Sequence, residues 1–559
     1  MNRFFKLLIL GLWTGGNAVL SAPFPLTVLH TNDLHSHFEG TGPDSYFTGK
    51  VGDGSPVRGH YARLATAIKT IRAEKSKTGE PVLVVDAGDF YSGTLFHSLA
   101  VSSSASVPEL EFFGYAGYDA VSFGNHEFDG GPLGIQRLLG KGKKLGLNHR
   151  IVASNLLDTE MGLSQTMIKE VSYQGVKLRV GFLGFVGSDA LRSSSGTRGE
   201  IAFIGYDDKK GKAQFTEITS LASKLALELK SRNQVDIVIA LIHGGDPEDL
   251  ALGKTKGIDL VISGHTHRLY PKPILSGTTW VAQAGSFGRY LGKLELSYEN
   301  QIFKLRNEGA TSIEMNDQIL PDAGMLEKIA QYKREIVGIT SHLGYRYESP
   351  IATLSKNYPA VRESQAPLGI FVTSAVRREL NKRLKDPVDF YFTAASLIRE
   401  GITPVEGKPT RYQYSDIFRI LPLGFDESFR VGAPIKTFYL TKSEVRLLLN
   451  FLEIYRHVSA NFTPAFSDSV HFRIRKWGIP FVNRIADLEL DGKSYEEWPA
   501  LIHIGTSSYV ATFFDKLPAL SKGFVRLKPR DKGGNPMAQP STPEVPVEAS
   551  LFAAALEQE

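Results

Sequence analysis

Five separate segments of the chain carry short clusters of acidic, amide and histidine side chains, the residue types that bind divalent metal ions. The clusters follow one another along the first half of the chain: Asp33-Leu34-His35, Gly88-Asp89, Gly124-Asn125-His126-Glu127, Ile242-His243 and Gly264-His265-Thr266-His267. Asp129 comes just after the third cluster. Oxygen and imidazole ligands without sulfur suit hard or borderline cations, so the pattern predicts metal-assisted chemistry.

A short apolar stretch precedes each cluster and indicates where its polar side chains lie. The stretches are aliphatic or β-branched and have the length of strands: 26–30, 82–85, 118–123, 235–242 and 258–262. A strand that is buried on both faces holds Asp or His at its centre only at a large desolvation cost, so polar ligands collect at its carboxyl end. We expect the five carboxyl ends to converge on one crevice.

The side-chain inventory is sufficient for two divalent ions. Such a pair, about 3.5–4 Å apart, shares an anionic bridge and takes further oxygen and nitrogen ligands on each side. Asp89 is the expected bridge, because it follows a buried strand in a Gly-Asp turn. The ligands predicted to complete the first site are Asp33, His35 and His267. Those predicted for the second site are Asn125, His243 and His265. The ligand set suits Mn, Zn, Co or Fe and does not choose among them.

His126 and Asp129 remain outside both ligand sets. A His three residues before an Asp can share one side of a turn with it, which leaves the imidazole held by the carboxylate and free of metal. We therefore predict that His126 is the general acid for a leaving alcohol and that Asp129 orients its ring. Asp86 is expected either to orient a ligand or to be a structural buried carboxylate, and Glu127 has no obvious metal position.

In their order these clusters resemble the calcineurin-like metallophosphoesterase superfamily, whose pattern is Asp-x-His, Gly-Asp, Gly-Asn-His-Glu, His and Gly-His-x-His. Residues 29–37 and 123–129 are similar, more specifically, to the secreted 5'-nucleotidase and UDP-sugar hydrolase family. The resemblance implies an α/β fold class, with an N-terminal calcineurin-like α/β/β/α sandwich joined by a helix to a C-terminal α/β substrate-binding domain. It also implies hydrolysis of a small nucleotide with two divalent ions as cofactors.

The second half of the chain resembles the substrate-binding domain of the same family less closely. Arg362 upstream of Leu368-Gly369, and Arg399 at the end of a loop, match family arginines that hold oxygen atoms of the substrate. Tyr509 falls where the family has one of two aromatic rings that stack on the base. The second ring is expected from Phe462, with Phe466 as the alternative.

Two loops of the second half depart from the family pattern. Residues 394–397 read Ala-Ala-Ser-Leu in place of Asn-Gly-Gly-Gly, which hinders the close backbone approach that glycine permits. Residues 506–513 replace the family's Asn-Asp-Phe block and the Gly-Gly-Asp that follows it. The catalytic part of the pattern is therefore complete, whereas the choice of substrate stays open.

Three alternatives to a 5'-nucleotidase remain open. The first is a 2',3'-cyclic-nucleotide 2'-phosphodiesterase with 3'-nucleotidase activity. The second is a sister hydrolase that acts on UDP-sugars or on a non-nucleotide ester, such as a sulfur or sugar-phosphate compound. The third is a secreted binding protein with a vestigial site, against which the intact ligand set argues.

With 559 residues, of which 42% are hydrophobic, the chain is long enough for two or three domains. Residues 1–22 contain Arg3, Lys6, an apolar run and small residues before Pro23, as in a secretory signal peptide. We expect a metallophosphoesterase domain over 23–320, a linker helix over 321–344 and a nucleotidase-type C-terminal domain over 345–530. The composition of 531–559 predicts a disordered tail, with a short terminal helix as the alternative.

The composition also bears on compartment and partners. The chain has no cysteine, so disulfides, a thiolate zinc site and a lipid-bearing cysteine are excluded. With the signal peptide, this predicts a periplasmic or secreted protein without a transmembrane anchor. Loss of Arg3 and Lys6 would lower the formal net charge from +5 to +3, which gives no reason to expect a nucleic-acid polymer as partner. We expect a monomer.

Overall fold

The computed structural model describes residues 23–157, 161–194, 201–207, 212–232, 234–306, 311–361, 363, 365–406, 408–457, 463–475, 477 and 484–558. The predicted signal peptide lies outside these residues, as do two members of the predicted substrate site, Arg362 and Phe462. None of the described helices has the length and hydropathy of a membrane span.

Two six-stranded sheets form the middle of the N-terminal half. The first contains β1 Phe24–Thr31, β2 Val82–Asp86, β3 Ala120–Val121, β12 Tyr290–Glu299, β13 Ile302–Leu305 and β14 Ser312–Glu314. The second contains β4 Thr166–Tyr173, β5 Val176–Val186, β8 Ile237–His243, β9 Leu260–Ser263, β10 Ile274–Ser276 and β11 Thr279–Ala282. A separate ribbon pairs β6 Tyr206–Asp207 with β7 Lys212–Ala213.

Strands β1, β2 and β3 are parallel neighbours in the first sheet, and β5, β8 and β9 are parallel neighbours in the second. Strand β8 shows why its sequence is continuously apolar. Ile239 and Leu241 pack in the core that both sheets share, whereas Val238 and Ile242 pack in the core on the outer face of the second sheet. A strand that is buried on both faces needs apolar side chains at every position.

Helices cover the outer faces of both sheets, so the predicted α/β/β/α sandwich is confirmed. The helices of the N-terminal half are α1 Tyr61–Ser76, α2 Ser98–Val101, α3 Pro108–Ala116, α4 Gly131–Lys144, α5 Ser188–Ser193, α6 Phe215–Ser231 and α7 Asp246–Gly253. Next comes α8 Ala323–Ile339, at the position of the predicted linker helix, where the Asp322 side chain accepts a hydrogen bond from the Met325 N–H at 2.9 Å.

The C-terminal half is built on a four-stranded sheet. Its strands are β16 Phe390–Ala394, β18 Ile435–Thr441, β19 Pro464–Phe466 and β23 Leu501–Ser507, in the order β18-β23-β16-β19. Smaller sheets pair β15 Pro350–Leu354 with β17 Thr410–Gln413, and join β20 Val470–Ile474, β21 Ile485–Leu490 and β22 Lys493–Ser494. The helices are α9 Pro367–Asn381, α10 Tyr414–Phe418, α11 Lys442–Tyr455, α12 Ser508–Ala511, α13 Leu517–Leu520 and α14 Glu548–Leu556.

The tail after residue 530 is ordered in the structure, which corrects the expected disordered extension. Ser541 exchanges backbone hydrogen bonds with Thr437 on β18, at 2.9 Å in each direction. Helix α14 packs on α9, and its Leu551 and Phe552 are fully buried. A few apolar residues in this segment are enough for a helix to pack on the existing core. The terminal helix that the sequence offered as an alternative is therefore present.

Candidate metal centre

All seven predicted ligands lie at the end of the sandwich where β1, β2, β3, β8 and β9 reach their carboxyl ends. Three strands come from one sheet and two from the other, so the ligands meet across the sandwich. Three groups have ligand atoms within 4.8 Å of one another: Asp33 with His35 and His267, Asp89 with His243 and His265, and His35 with Asp89 and His126. The first two groups contain the His and Asp ligands predicted for the two sites.

Asp89 lies between the two ligand sets. Its Oδ2 is 2.9 Å from His243 Nε2 and 3.7 Å from His35 Nε2. On the side of the first set, His267 Nε2 lies 3.3 Å from Asp33 Oδ1. One carboxylate oxygen therefore faces both sets, as the predicted bridge requires.

The histidine tautomers fit metal binding. His35 Nδ1 lies 2.8 Å from the Ser92 carbonyl oxygen, and His243 Nδ1 lies 2.9 Å from the Ala87 carbonyl oxygen. A carbonyl only accepts, so Nδ1 donates and the Nε2 lone pair faces the centre. Burial, together with the nearby guanidinium of Arg399, holds the pKa of His35 well below its ordinary value, which keeps the ring neutral.

Asn125 gives a second test of the fit. Its side-chain oxygen Oδ1 is buried and makes no hydrogen bond to any part of the chain that the structure describes. A buried acceptor without a donor is costly, and a cation would satisfy it. The donor set of carboxylates, imidazoles and one amide oxygen therefore fits divalent ions.

The ligand loops have a strained backbone. Asp33, His35, Asp89, His265 and His267 have φ values of 51°, 48°, 55°, 78° and 58°, in the left-handed region that side chains other than glycine rarely adopt. The loops hold one another in this conformation: the Asp33 N–H donates to the Gly88 carbonyl and the His35 N–H to the Asp89 carbonyl, both at 2.9 Å. Gly124 must be glycine, because a Cβ there would overlap Asp89 Oδ1.

Glu127 has a role that the sequence did not predict. Its carboxylate accepts N–H hydrogen bonds from Asp89 at 3.1 Å, Tyr91 at 3.0 Å and Gly124 at 2.5 Å. It thereby ties the loop after β2 to the loop after β3. The Gly-Asn-His-Glu motif marked the residue as part of the site, but only the fold shows what it holds.

Asp86 is not one of the proposed ligands but supports the turn that carries one of them. Its carboxylate accepts hydrogen bonds from the Thr31 hydroxyl at 2.6 Å and from the Gly88 N–H at 2.9 Å, so it fixes the turn that carries Asp89. Burial raises the pKa of Asp86 to about 7.

The predicted acid is paired with its predicted partner. His126 Nδ1 lies 2.7 Å from Asp129 Oδ2, and His126 Nε2 points toward the ligands, 4.0 Å from Asp89 Oδ2. Asp129 also accepts a hydrogen bond at its other oxygen, Oδ1, from the Tyr509 hydroxyl at 3.1 Å. Tyr509 belongs to α12, so the C-terminal half contributes directly to the orientation of the dyad.

Of the predicted substrate residues that the structure describes, Arg399 and Tyr509 reach the metal centre. Phe466, the alternative second ring, is instead buried in the core beside the four-stranded sheet. Arg399 Nη2 donates to His35 Nε2 at 2.8 Å. The Tyr509 ring is buried beside Leu423 and Ala433, and stacking of this ring on a base stays a prediction.

The comparisons with known proteins agree with this geometry. Residues 26–269 match the sequence profile of the calcineurin-like phosphoesterase family. The 5'-nucleotidase of Rattus norvegicus is 29% identical over 394 residues, which cover 66% of this chain and 62% of the relative. The chain spans about three fifths of the length of the curated relatives that it matches first.

Solved structures share the fold over nearly the whole chain. A 5'-nucleotidase precursor from Thermus thermophilus matches with a TM-score of 0.70 at 20% identity, over 96% of both chains. The sulfate thiohydrolase SoxB from the same organism matches with a TM-score of 0.65 at 15% identity, over 95% of this chain and 94% of that one. At these identities the likeness concerns the fold alone.

Proposed function

We propose that this chain, whose residues 26–269 match the calcineurin-like phosphoesterase family, is a two-metal phosphoester hydrolase that releases phosphate from nucleoside 5'-monophosphates. One observation carries the proposal: Asp89 Oδ2 lies between the two ligand sets, 2.9 Å from His243 Nε2 and 3.7 Å from His35 Nε2, and the His126–Asp129 pair lies beside it. The ligands would be Asp33, His35 and His267 on one side and Asn125, His243 and His265 on the other.

The chain's own residues divide the work of hydrolysis. Divalent ions held by these ligands would supply Lewis acidity for phosphoester hydrolysis. His126 holds a proton at Nε2 for the leaving oxygen, and the Asp129 carboxylate orients the ring and stabilises its cationic form. Arg399 presents a planar guanidinium to the same space, a geometry that suits phosphate oxygens.

The preference for nucleotides rests on the relatives and on the position of Tyr509. The rat relative is a 5'-nucleotidase, and this chain places an aromatic ring and Arg399 at the entrance to the metal centre from the C-terminal half. We further propose that the protein is exported, since residues 1–22 have the pattern of a signal peptide. We also propose that it acts as a monomer.

A substrate panel tests this function. Purified protein with Mn should release phosphate from AMP, excess chelator should abolish the reaction, and Mn or Co should restore it. Full activity in excess chelator would refute the metal mechanism. Faster hydrolysis of 2',3'-cyclic AMP or of a UDP-sugar than of AMP would instead select one of the alternative substrate classes.

A further inference from the structure

A cavity leads from the metal centre into the core of the C-terminal half. Asp89, Asn125 and His126 line its entrance from the N-terminal half, and Arg399 and Tyr509 line it from the other side. Its volume is about 90 Å³, several times the room that one water molecule needs. The cavity can therefore hold an organic group of several atoms that is attached to a phosphate at the metals.

The inner part of the cavity is apolar. Its walls come from the loop after β16, from α11, and from the segment that includes α12 and α13: Leu397, Leu448, Leu452, Val510, Phe514 and Leu517. These side chains also belong to the core between α11 and the four-stranded sheet, or pack against it. The inner cavity is thus a gap in a hydrophobic core that opens toward the metal centre.

Polar partners for a buried ligand are few in this inner part: away from the metal centre, the polar side chains that line the cavity are Ser193, Thr393 and Ser396. Thr393 is buried there, and its Oγ1 makes no hydrogen bond to any residue within the described part of the chain. A nucleobase that entered the inner cavity would leave most of its ring nitrogens and exocyclic groups without partners, which disfavours binding. An alkyl chain has no such groups and gains from the removal of apolar surface from water.

We propose that the same metal centre also hydrolyses phosphomonoesters of unbranched alkyl alcohols, whose chains occupy the inner cavity. This further activity rests on the proposed function, because it uses the same ions and the same acid. Water attacks phosphorus, the bond between phosphorus and the alkyl oxygen breaks, and that oxygen leaves with the proton from His126. The products are the free alcohol and inorganic phosphate.

A chain-length series tests the proposal on the intact protein. The kcat/KM values for ethyl, butyl, hexyl and octyl phosphate would be measured with Mn, with AMP as the reference substrate. We expect a rise of about fourfold for each added methylene until the cavity is filled, which corresponds to burial of one methylene group. A series without dependence on chain length, on an enzyme that hydrolyses AMP, would overturn this proposal and leave the proposed function intact. Failure on every ester, AMP included, would overturn both.

A pair of variants on one helix locates the alkyl chain. Leu448→Phe adds volume to the cavity wall and should remove the gain for hexyl and octyl phosphate. Leu447→Phe makes the same substitution one residue earlier on α11, outside the cavity lining, and should keep the chain-length series of the wild type. An equal effect of both variants would contradict the location.

Inhibition of the wild-type protein gives a measurement that needs no variant. Alkylphosphonates carry the same chains on a bond that is not hydrolysed, so their inhibition constants against AMP hydrolysis report binding alone. The constants should fall about fourfold for each methylene. Inhibition constants that are equal from ethyl- to octylphosphonate would show that the inner cavity does not take the chain, whatever the behaviour of Leu448→Phe.

Discussion

Five of the proposed metal ligands lie on residues with a left-handed backbone, a conformation that costs energy. Each left-handed residue among the ligands is disfavoured by about 1–2 kcal/mol, and the hydrogen bonds between the loops compensate for it. Glu127 takes part by accepting three N–H groups from the loops after β2 and β3. The centre is thereby organised by groups that bind no metal.

His126→Ala should retain the metals and lose turnover, because the ring is proposed to donate a proton. We expect a loss of about 10²–10⁴ in kcat for AMP, the usual contribution of a positioned acid. The loss should be much smaller for p-nitrophenyl phosphate, whose leaving group needs no proton. Elemental analysis checks the premise: a variant that has lost bound metal would show that His126 is a ligand.

Tyr509→Phe separates two roles for the tyrosine. The variant keeps the ring and removes the hydroxyl that donates to Asp129 at 3.1 Å. If the hydroxyl positions the His126–Asp129 pair, kcat for AMP should fall by roughly 10- to 150-fold, the value of one hydrogen bond to a charged group, with little change in KM or in p-nitrophenyl phosphate hydrolysis. A change in KM alone would favour a contact with the substrate, and Tyr509→Ala would then raise KM further.

At the scale of elements, the strands that carry the ligands could be predicted, because burial on both faces leaves a continuous apolar run in the sequence. The apolar stretch at 118–123 predicts a full strand, but β3 has only the residues Ala120–Val121. Sequence alone could not show this, since Tyr118 and Phe123 are buried in the core outside the strand and look the same as strand residues in a pattern of hydrophobicity.

The apolar cavity could not be predicted either. Its walls come from residues that are scattered over the loop after β16 and the helices α11, α12 and α13, and their sequence pattern is that of ordinary core residues. The same reason explains why the order of the tail could not be predicted. Its composition suggests disorder, but in the folded protein α14 packs on α9. Both features depend on long-range packing, which local sequence patterns do not record.

Glu548, at the start of α14, makes the stability of this element depend on pH. Burial raises the pKa of Glu548 to about 7, and Tyr391 donates a hydrogen bond to its Oε1 at 2.8 Å. The unfolded chain loses this proton near pH 4.3, whereas the folded protein keeps it until about pH 7, so the contribution to stability is complete below about pH 4.3 and is lost as the pH rises to 7.

Glu548→Gln should remove this part of the pH dependence, since the amide stays neutral and its oxygen can still accept from Tyr391. The wild type should lose up to roughly 3 kcal/mol more of its free energy of unfolding between pH 4.5 and 8 than the variant does. Denaturant unfolding at both pH values measures the difference. Glu557→Gln replaces an exposed carboxylate just after the same helix and should behave as the wild type. Parallel pH curves for wild type and Glu548→Gln would contradict the shifted pKa.

At the scale of the whole molecule, the metal centre depends on how the two halves dock, because Arg399 and Tyr509 reach it from the C-terminal half. A buried network of charges joins the halves. Arg419 forms ion pairs with Asp44 of the N-terminal half and with Glu400 and Asp416 of its own half. The Gly42 N–H adds a hydrogen bond to Glu400 at 3.0 Å. These charges are almost fully buried, and a buried charge without a partner is costly. The halves can therefore associate stably only if the charges are paired.

Arg419→Met should therefore weaken the association of the two halves more than it lowers the folding stability of either half. It leaves buried carboxylates without their cation, which costs about 3–5 kcal/mol when one partner of a buried pair is removed. We expect a lower unfolding midpoint and a higher KM for AMP, since Arg399 would no longer be held at the metal centre. Arg430→Met removes an arginine that is largely exposed in its pair with Asp426, and it should shift stability by no more than about 0.5 kcal/mol.

The pH dependence of the Arg419→Met variant separates loss of charge pairing from loss of packing. Protonation of the unpaired carboxylates relieves their repulsion, so the destabilisation relative to wild type should shrink as the pH falls from 8 toward 5. A gap in stability that stays constant over this range would mean that the aliphatic part of Arg419, and not its charge, holds the halves together. A variant with wild-type stability and an unchanged KM would show that the network is not required for docking, and that Arg399 and Tyr509 are placed by other contacts between the halves.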